Sequence, residues 1–194
     1  MERRTLLLGL LCFSIAAQSG RVSREGELLV ATSAIPDPRF AQTVILIIED
    51  GDEGTVGLVV NRPAGRMAER DVFSQLGIES PGGSGSTTVF EGGPVFPDQL
   101  FALHTADVLL PDSKTVAEGV ALTEATKILA KVGEGKGPSK VKLILGYAGW
   151  ARGQLDFEMT TGSWLLVPCR PSLVFSDEPE QVWRKIMDEF TMRM

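Results

Sequence analysis

Histidine and tyrosine each occur once among the 194 residues and cysteine twice, and each scarcity closes off a class of chemistry. A single imidazole, His104, cannot build a His-rich metal site, and Cys12 and Cys169 cannot build a disulfide framework, so neither a metal nor a cofactor is expected. Cationic charge is short as well. Lysine and arginine number 19 against 25 acidic residues, a net charge of -6, which argues against a general nucleic-acid binder. Long apolar runs are missing: the uncharged stretch Leu6 to Ala17 covers 12 residues, whereas a bilayer span needs roughly 20. Internal repeats, linkers and charge runs are missing too. What remains is ordinary globular composition, 43% apolar and 23% charged, with length enough for one α+β domain that buries roughly 70% of its unfolded surface.

The first residues read as a secretory signal. Arg3 and Arg4 form a basic start, Leu6 to Ala17 an apolar centre, and Ala17-Gln18-Ser19 a small-residue cleavage site before Gly20. Leu11 stands before Cys12 where a lipoprotein signal needs a small residue. Residues 1–19 are therefore expected to be removed, 20–27 to form a lead-in, and 28–194 to form the domain. No transmembrane anchor is expected after cleavage. Cys169, then the lone cysteine, reads as a small buried hydrophobe beside Trp164 to Val167.

Leu28–Thr32 and Thr43–Glu49 are β-branched apolar runs of strand length. Asp50 to Gly54 supplies turn residues, and Thr55–Asn61 returns as the second arm of a hairpin that Pro63 ends. The Thr43–Ile48 run is apolar nearly throughout, so that strand should be covered on both faces. Helices are expected at Ala68–Leu76, at Glu124–Val132 with Thr123 as cap, and from Asp177 onward. Strands are expected at Thr88–Glu91, Leu100–His104, Val116–Leu122, Val141–Leu145, Ser163–Val167 and Leu173–Phe175. The last helix carries Val182, Trp183, Ile186, Met187 and Phe190 on one stripe, which marks core contact.

Sites of chemistry are weakly signalled. Pro81 to Ser86 and Gly133 to Gly137 are glycine-rich but lack the order of a phosphate cradle, and Ser84 lacks the strand–elbow–helix setting of a hydrolase nucleophile. Asp156 and Glu158 lie two apart, sharing a face only on a strand, and make a poor metal pair. Arg184 and Lys185 are interleaved with Glu178, Glu180 and Asp188, so no helix presents a basic stripe to DNA. Glycines 92, 93, 146, 149 and 153 suit positive φ or close backbone approach, and Tyr147 and Trp150 fall in a glycine-flanked bend.

An ordered set of segments resembles the AlgH/YqgE family of bacterial proteins. It runs from Asp37-Pro38-Arg39-Phe40 through Gly57 to Pro63 (Gly-Leu-Val-Val-Asn-Arg-Pro), Gly92-Gly93-Pro94-Val95 and Leu103-His104-Thr105. It continues through Gly119 to Thr123, Leu145 to Trp150 and Gly153-Gln154-Leu155, with Trp164-Leu165 and Trp183 following. The resemblance covers about Leu28 to Phe190. It implies an α+β fold whose bifurcated, mostly antiparallel sheet curls into a pseudo-barrel with helices packed outside. It implies no reaction and no catalytic residues. Some members carry a transcriptional-regulator label from a genetic association with alginate production, which the acidic charge contradicts as direct DNA binding. Members usually begin just before the Leu28 strand and look cytoplasmic, whereas the leader here points to the periplasm or cell envelope.

The leading expectation is a non-enzymatic protein that binds a small ligand or a protein partner. Its surface is sought where Asn61, Arg62, His104, Tyr147, Trp150 and Gln154 converge. The competing expectation is an enzyme, a hydrolase using His104 with Asn61 or Asp156; the third is a regulator of transcription acting indirectly.

Overall fold

Strand β2 (Val44–Gly51) and its neighbour β1 (Glu27–Ala31) hold the most apolar sequence in the chain, and both are buried on both faces. This computed structural model describes residues 22–79 and 85–192. The expected signal segment, Cys12 and the Pro81–Ser84 loop with its serine lie outside them. The sheet path runs β10-β1-β2-β3-β9-β6-β8-β7, with β4 and β5 forming a separate branch. Its members are β3 (Gly54–Val59), β4 (Pro63–Ala68), β5 (Ser86–Glu91), β6 (Val95–Thr105), β7 (Lys114–Ala117), β8 (Val120–Thr123), β9 (Val141–Ala151) and β10 (Trp164–Pro168). The sheet curls into a half-barrel. Five helices accompany it among the described residues: α1 (Glu69–Gln75), α2 (Ala125–Gly133), α3 (Gln154–Thr160), α4 (Pro171–Val174) and α5 (Val182–Thr191).

The fork lies along one edge of β9. Its first half pairs in parallel with β5, Val89 to Leu143 through Glu91 to Leu145. Its second half pairs antiparallel with β3, Gly57 to Ala148 through Gly54 to Ala151. The β4–β5 branch and the start of β9 form one wall of a groove whose other wall is the segment Phe175–Gln181, and that groove is the site described below.

The expected β2–β3 hairpin and the double covering of β2 are present. Several boundaries differ from expectation, each for a local reason. Pro63 does not end the extended chain: it opens β4, which pairs with β5 although Pro-Ala-Gly-Arg-Met-Ala carries no β-branched residue, so pairing overrides propensity. The stretch Val116–Leu122 is a tight hairpin, β7 and β8, turning at Glu118-Gly119. Strand β9 runs on through Gly146 to Ala151 instead of stopping at Leu145, because Gly146 takes φ 70° and lets the strand bend without ending. Leu173–Phe175 is not a strand: Pro171 starts the helical turn α4 there.

Two caps also differ. Thr123 turns its hydroxyl to His104 instead of capping α2, whose N-cap is Glu124. Asp177 pairs with Lys140, and the last helix begins through a 3-10 turn at Pro179–Gln181. Within its stripe Val182 and Ile186 are buried, Trp183 and Met187 are half-buried, and Phe190 is 39% exposed. Trp183 is held by a bond from Nε1 to the Ala31 carbonyl at 2.7 Å. The stripe is core contact at its N-terminal turn and surface at its end.

Candidate functional site

The six residues singled out in the sequence fall in three places. Asn61, 7% exposed, accepts from the Val44 amide at 2.7 Å and donates to the Gln42 carbonyl at 2.9 Å, so its side chain pins the corner entering β2. Arg62 donates to the carbonyls of Arg39 at 2.6 Å and Ala41 at 3.4 Å. Between those two carbonyls sits Phe40, whose ring lies 6.4 Å from Trp150 and 5.9 Å from Trp164.

Trp150 and Trp164 meet edge to face at 5.8 Å, and both indole N–H groups donate to Glu158 Oε2, at 3.0 and 2.8 Å. Gln154 donates to Glu158 Oε1 at 2.9 Å and accepts from the Ala151 amide at 3.1 Å. Asn61, Arg62, Trp150 and Gln154 therefore do gather around one aromatic corner. Every polar group named there already has its partner inside the protein. Asp156, on the same short helix, pairs with Arg24. Tyr147 lies apart from the corner, packed between Phe96 and Phe101 at 6.0 and 6.2 Å.

His104 does not join them. It pairs with Val141 at the start of β9, nine residues before Trp150, a separation of roughly 30 Å along a strand rising about 3.3 Å per residue. Its side chain is fully buried. Nδ1 donates to the Thr105 carbonyl at 2.9 Å, and Nε2 accepts from the Thr123 hydroxyl at 2.7 Å. Thr123 in turn accepts from Ser113 at 2.6 Å. Both ring nitrogens are occupied, so the imidazole has none left to move a substrate proton, and neither Asn61 nor Asp156 is bonded to it.

The cleft beneath the fork is a groove of about 900 Å³. One wall is strand: Arg66 from β4, Ser86 and Thr88 from β5, Lys140 just before β9 and Lys142 on it. The other is the segment Phe175–Gln181, which brings Asp177, Glu178 and Glu180. Lys140 bridges the two, donating to the Phe175 carbonyl at 3.0 Å and pairing with Asp177 at 2.8 Å. Arg66 donates to the Ser86 hydroxyl at 2.6 Å.

Lys142 stands out chemically. It is 5% exposed, its Nζ donates to the Val60 carbonyl at 2.6 Å, and it lies 4.0 Å from the centroid of the Phe90 ring. Among the described residues no carboxylate is within ion-pair distance of it. Burial, with the nearby positive charge of Lys140 adding to it, pulls this amine down from the ordinary lysine value of 10.5 to about 7. The sequence reading missed it. A signal was present: a lysine set inside the apolar run Val141, Leu143, Ile144 and Leu145 is flanked on both sides by core, which is an uncommon place for an ammonium.

Cys169 is half-buried, and desolvation raises its thiol to about 11, the environment of a packing cysteine rather than a nucleophile.

Fold and site together define an α+β protein with a forked sheet and a polar groove floored by a buried amine. The chain belongs to the AlgH-like family, whose model matches residues 28–194. It is 35% identical over 168 residues to a UPF0301 protein of Methylococcus capsulatus, covering 87% of this chain and 92% of that one. A UPF0301 protein of Xylella fastidiosa is 38% identical over 160 residues, covering 82% and 85%. The solution structure of the AlgH protein from Pseudomonas aeruginosa superposes with a TM-score of 0.69 at 31% identity, covering 91% of this chain and 93% of that chain. The crystal structure of protein DIP2367 from Corynebacterium diphtheriae shares the fold, with a TM-score of 0.68 at 24% identity over 87% of each chain.

Proposed function

We propose that the protein is a binding module for a small polar ligand, held in the groove beneath the sheet fork. The observation that carries this reading is Lys142, a desolvated amine with one protein acceptor lining a cleft large enough for a metabolite. Hydroxyls on the strand wall and carboxylates on the facing segment suit a compound with several polar groups. A hydrolase built on His104 lacks support, since that ring spends both nitrogens on the core. Any effect on transcription is then indirect. Equilibrium dialysis of the purified chain against a small-molecule extract of its host, read by mass spectrometry, tests the reading. A polar compound retained by the native chain and lost from Lys142→Met supports it; identical retention by both proteins overturns it.

We propose further that the chain works in the cell envelope. Support comes from the order Arg3-Arg4, apolar centre, small residues before Gly20, and from the family match beginning only at Leu28. The intact mass of the protein from its native host should be that of a chain beginning at Gly20. A cytosolic species that retains Met1 would end this reading.

A further inference from the structure

The strand wall of the groove aligns three side chains in one row. Arg66 pairs with Thr88 across β4 and β5, and Thr88 lies one residue before the Val89–Leu143 pair, level with Lys142 on β9. All three line the groove, so they share one face of this three-stranded branch. With strands spaced about 4.8 Å apart, Arg66 and Lys142 stand roughly 10 Å apart at their backbones, a span that a small molecule and two long side chains close easily. Arg66 contacts a hydroxyl and, among the described residues, no carboxylate, so its guanidinium is available to an anion. Lys142 donates to Val60 through N–H, which leaves the nitrogen lone pair of the neutral amine free.

We infer that Lys142 is a covalent attachment point, its amine condensing reversibly with the carbonyl of a small 2-oxo acid whose carboxylate rests on Arg66. The nitrogen lone pair attacks the carbonyl carbon and a C–N bond forms, giving a carbinolamine. The C–O bond then breaks, the oxygen leaves as water with the two hydrogens the amine carried, and an imine remains. No oxidant or reductant takes part. An amine of value about 7 is half unprotonated at neutral pH, where an ordinary lysine is almost wholly ammonium and inert to carbonyls. The other charged groups of the groove are consistent with this: Lys140 disfavours a second cation, and its own partner Asp177 is engaged. Glu178 is held by Lys185, leaving Glu180 as the remaining acid on the facing segment.

This inference rests on the groove being a ligand site, and the test separates the two. The full chain is incubated at pH 7 with pyruvate and sodium cyanoborohydride, which fixes an imine as a secondary amine, and the modified lysine is located by peptide mass spectrometry. Labelling at Lys142 should run at least about tenfold faster than at Lys127, whose amine is raised by its bonds to Asp112 and Glu124, following the larger neutral fraction. Arg66→Ala should slow labelling by pyruvate and leave labelling by acetone, a carbonyl without a carboxylate, unchanged. Labelling of Lys142 no faster than of Lys127 overturns the inference, as does an Arg66→Ala effect equal for both probes. Amide shifts of the same chain titrated with pyruvate without reductant complete the test. Shifts at Thr88 and Lys142 with no covalent label remove the imine but keep the groove, and a groove that neither shifts nor labels removes both.

Discussion

Lys142 couples the groove to stability as well as to chemistry. Its folded value of about 7 lies below the ordinary 10.5, so between those pH values the unfolded chain holds a proton that the folded chain does not. Stability contributed by this site therefore rises with pH across that window and is flat below about 7, where both states are protonated. The size is on the order of a few kcal/mol. Lys142→Met removes the titration at the cost of an unpaired Val60 carbonyl, a roughly constant offset of about 1–3 kcal/mol. Urea unfolding of both proteins from pH 6 to pH 10 should show the native chain gaining on the variant as pH rises. Parallel curves would mean that the amine is not desolvated as the groove geometry requires. The bias toward polar motif residues explains why this lysine escaped the sequence reading. Asn61, Arg62, Trp150 and Gln154 were found because they sit in recognisable segments, yet their side chains serve the Phe40 corner, and nothing in a linear pattern tells a satisfied asparagine from a vacant one.

Among the elements, the link from β5 to β6, where it passes β9, has no room for a side chain. The Gly92 amide donates to the Leu145 carbonyl at 2.7 Å, and Gly93 adopts φ 149° with its backbone against Tyr147. A Cβ on Gly93 would lie 2.3 Å from the Tyr147 carbonyl carbon and 2.4 Å from the Ala148 nitrogen, which neither strand can yield without breaking the fork. Gly153 is also left-handed, at φ 77°, but a Cβ there meets nothing within 4 Å. Gly153→Ala should thus cost only the conformational term of about 1–2 kcal/mol, whereas Gly93→Ala should yield little soluble folded protein. Thermal melts of the two variants side by side decide the matter, and equal melting temperatures would show that the close approach is absent. The last helix offers a milder case. Trp183 is half-buried and gives its N–H to Ala31, so Trp183→Ala should cost about 3 kcal/mol, with Trp183→Phe recovering the packing but not the bond to the Ala31 carbonyl. An unchanged melting temperature in the alanine variant would place this side chain at a partner surface instead. Elements with a strong apolar period, β2, α2 and α5, were legible in the sequence. Strand β4 and the second half of β9 were not, since pairing across the fork creates them and their own residues argue for turns.

The fork gives the whole molecule its character: one strand feeds two branches, and the β4–β5 branch faces the segment Phe175–Gln181 across a groove lined by charged and hydroxyl side chains. Charge is arranged accordingly. The net value is -6, and many of the surface cations are spent locally, Lys127 on Asp112, Lys131 on Glu134, Lys140 on Asp177, Arg170 on Glu189 and Lys185 on Glu178. A cation already paired to a carboxylate neutralises little phosphate, so few counterions are released on meeting a duplex. The electrostatic term that drives non-specific DNA binding is correspondingly small. Sequence readout would then need a helix or ribbon to enter the major groove, and α5, the most amphipathic helix, has its apolar side on the core and mixed charge outside. The expected result of a fluorescence titration with duplex DNA at about 150 mM salt is binding weaker than about 10⁻⁶ M with no preference for sequence. Lowering the salt should strengthen it only slightly, because the slope of log affinity against log salt scales with the number of phosphates neutralised. Specific regulators typically bind their sites at roughly 10⁻⁸ to 10⁻¹¹ M. Affinity in that range, with a steep salt slope, would mean that a basic face assembles in a form of the protein other than this one, and direct action on a promoter would replace ligand binding as the explanation of any effect on transcription.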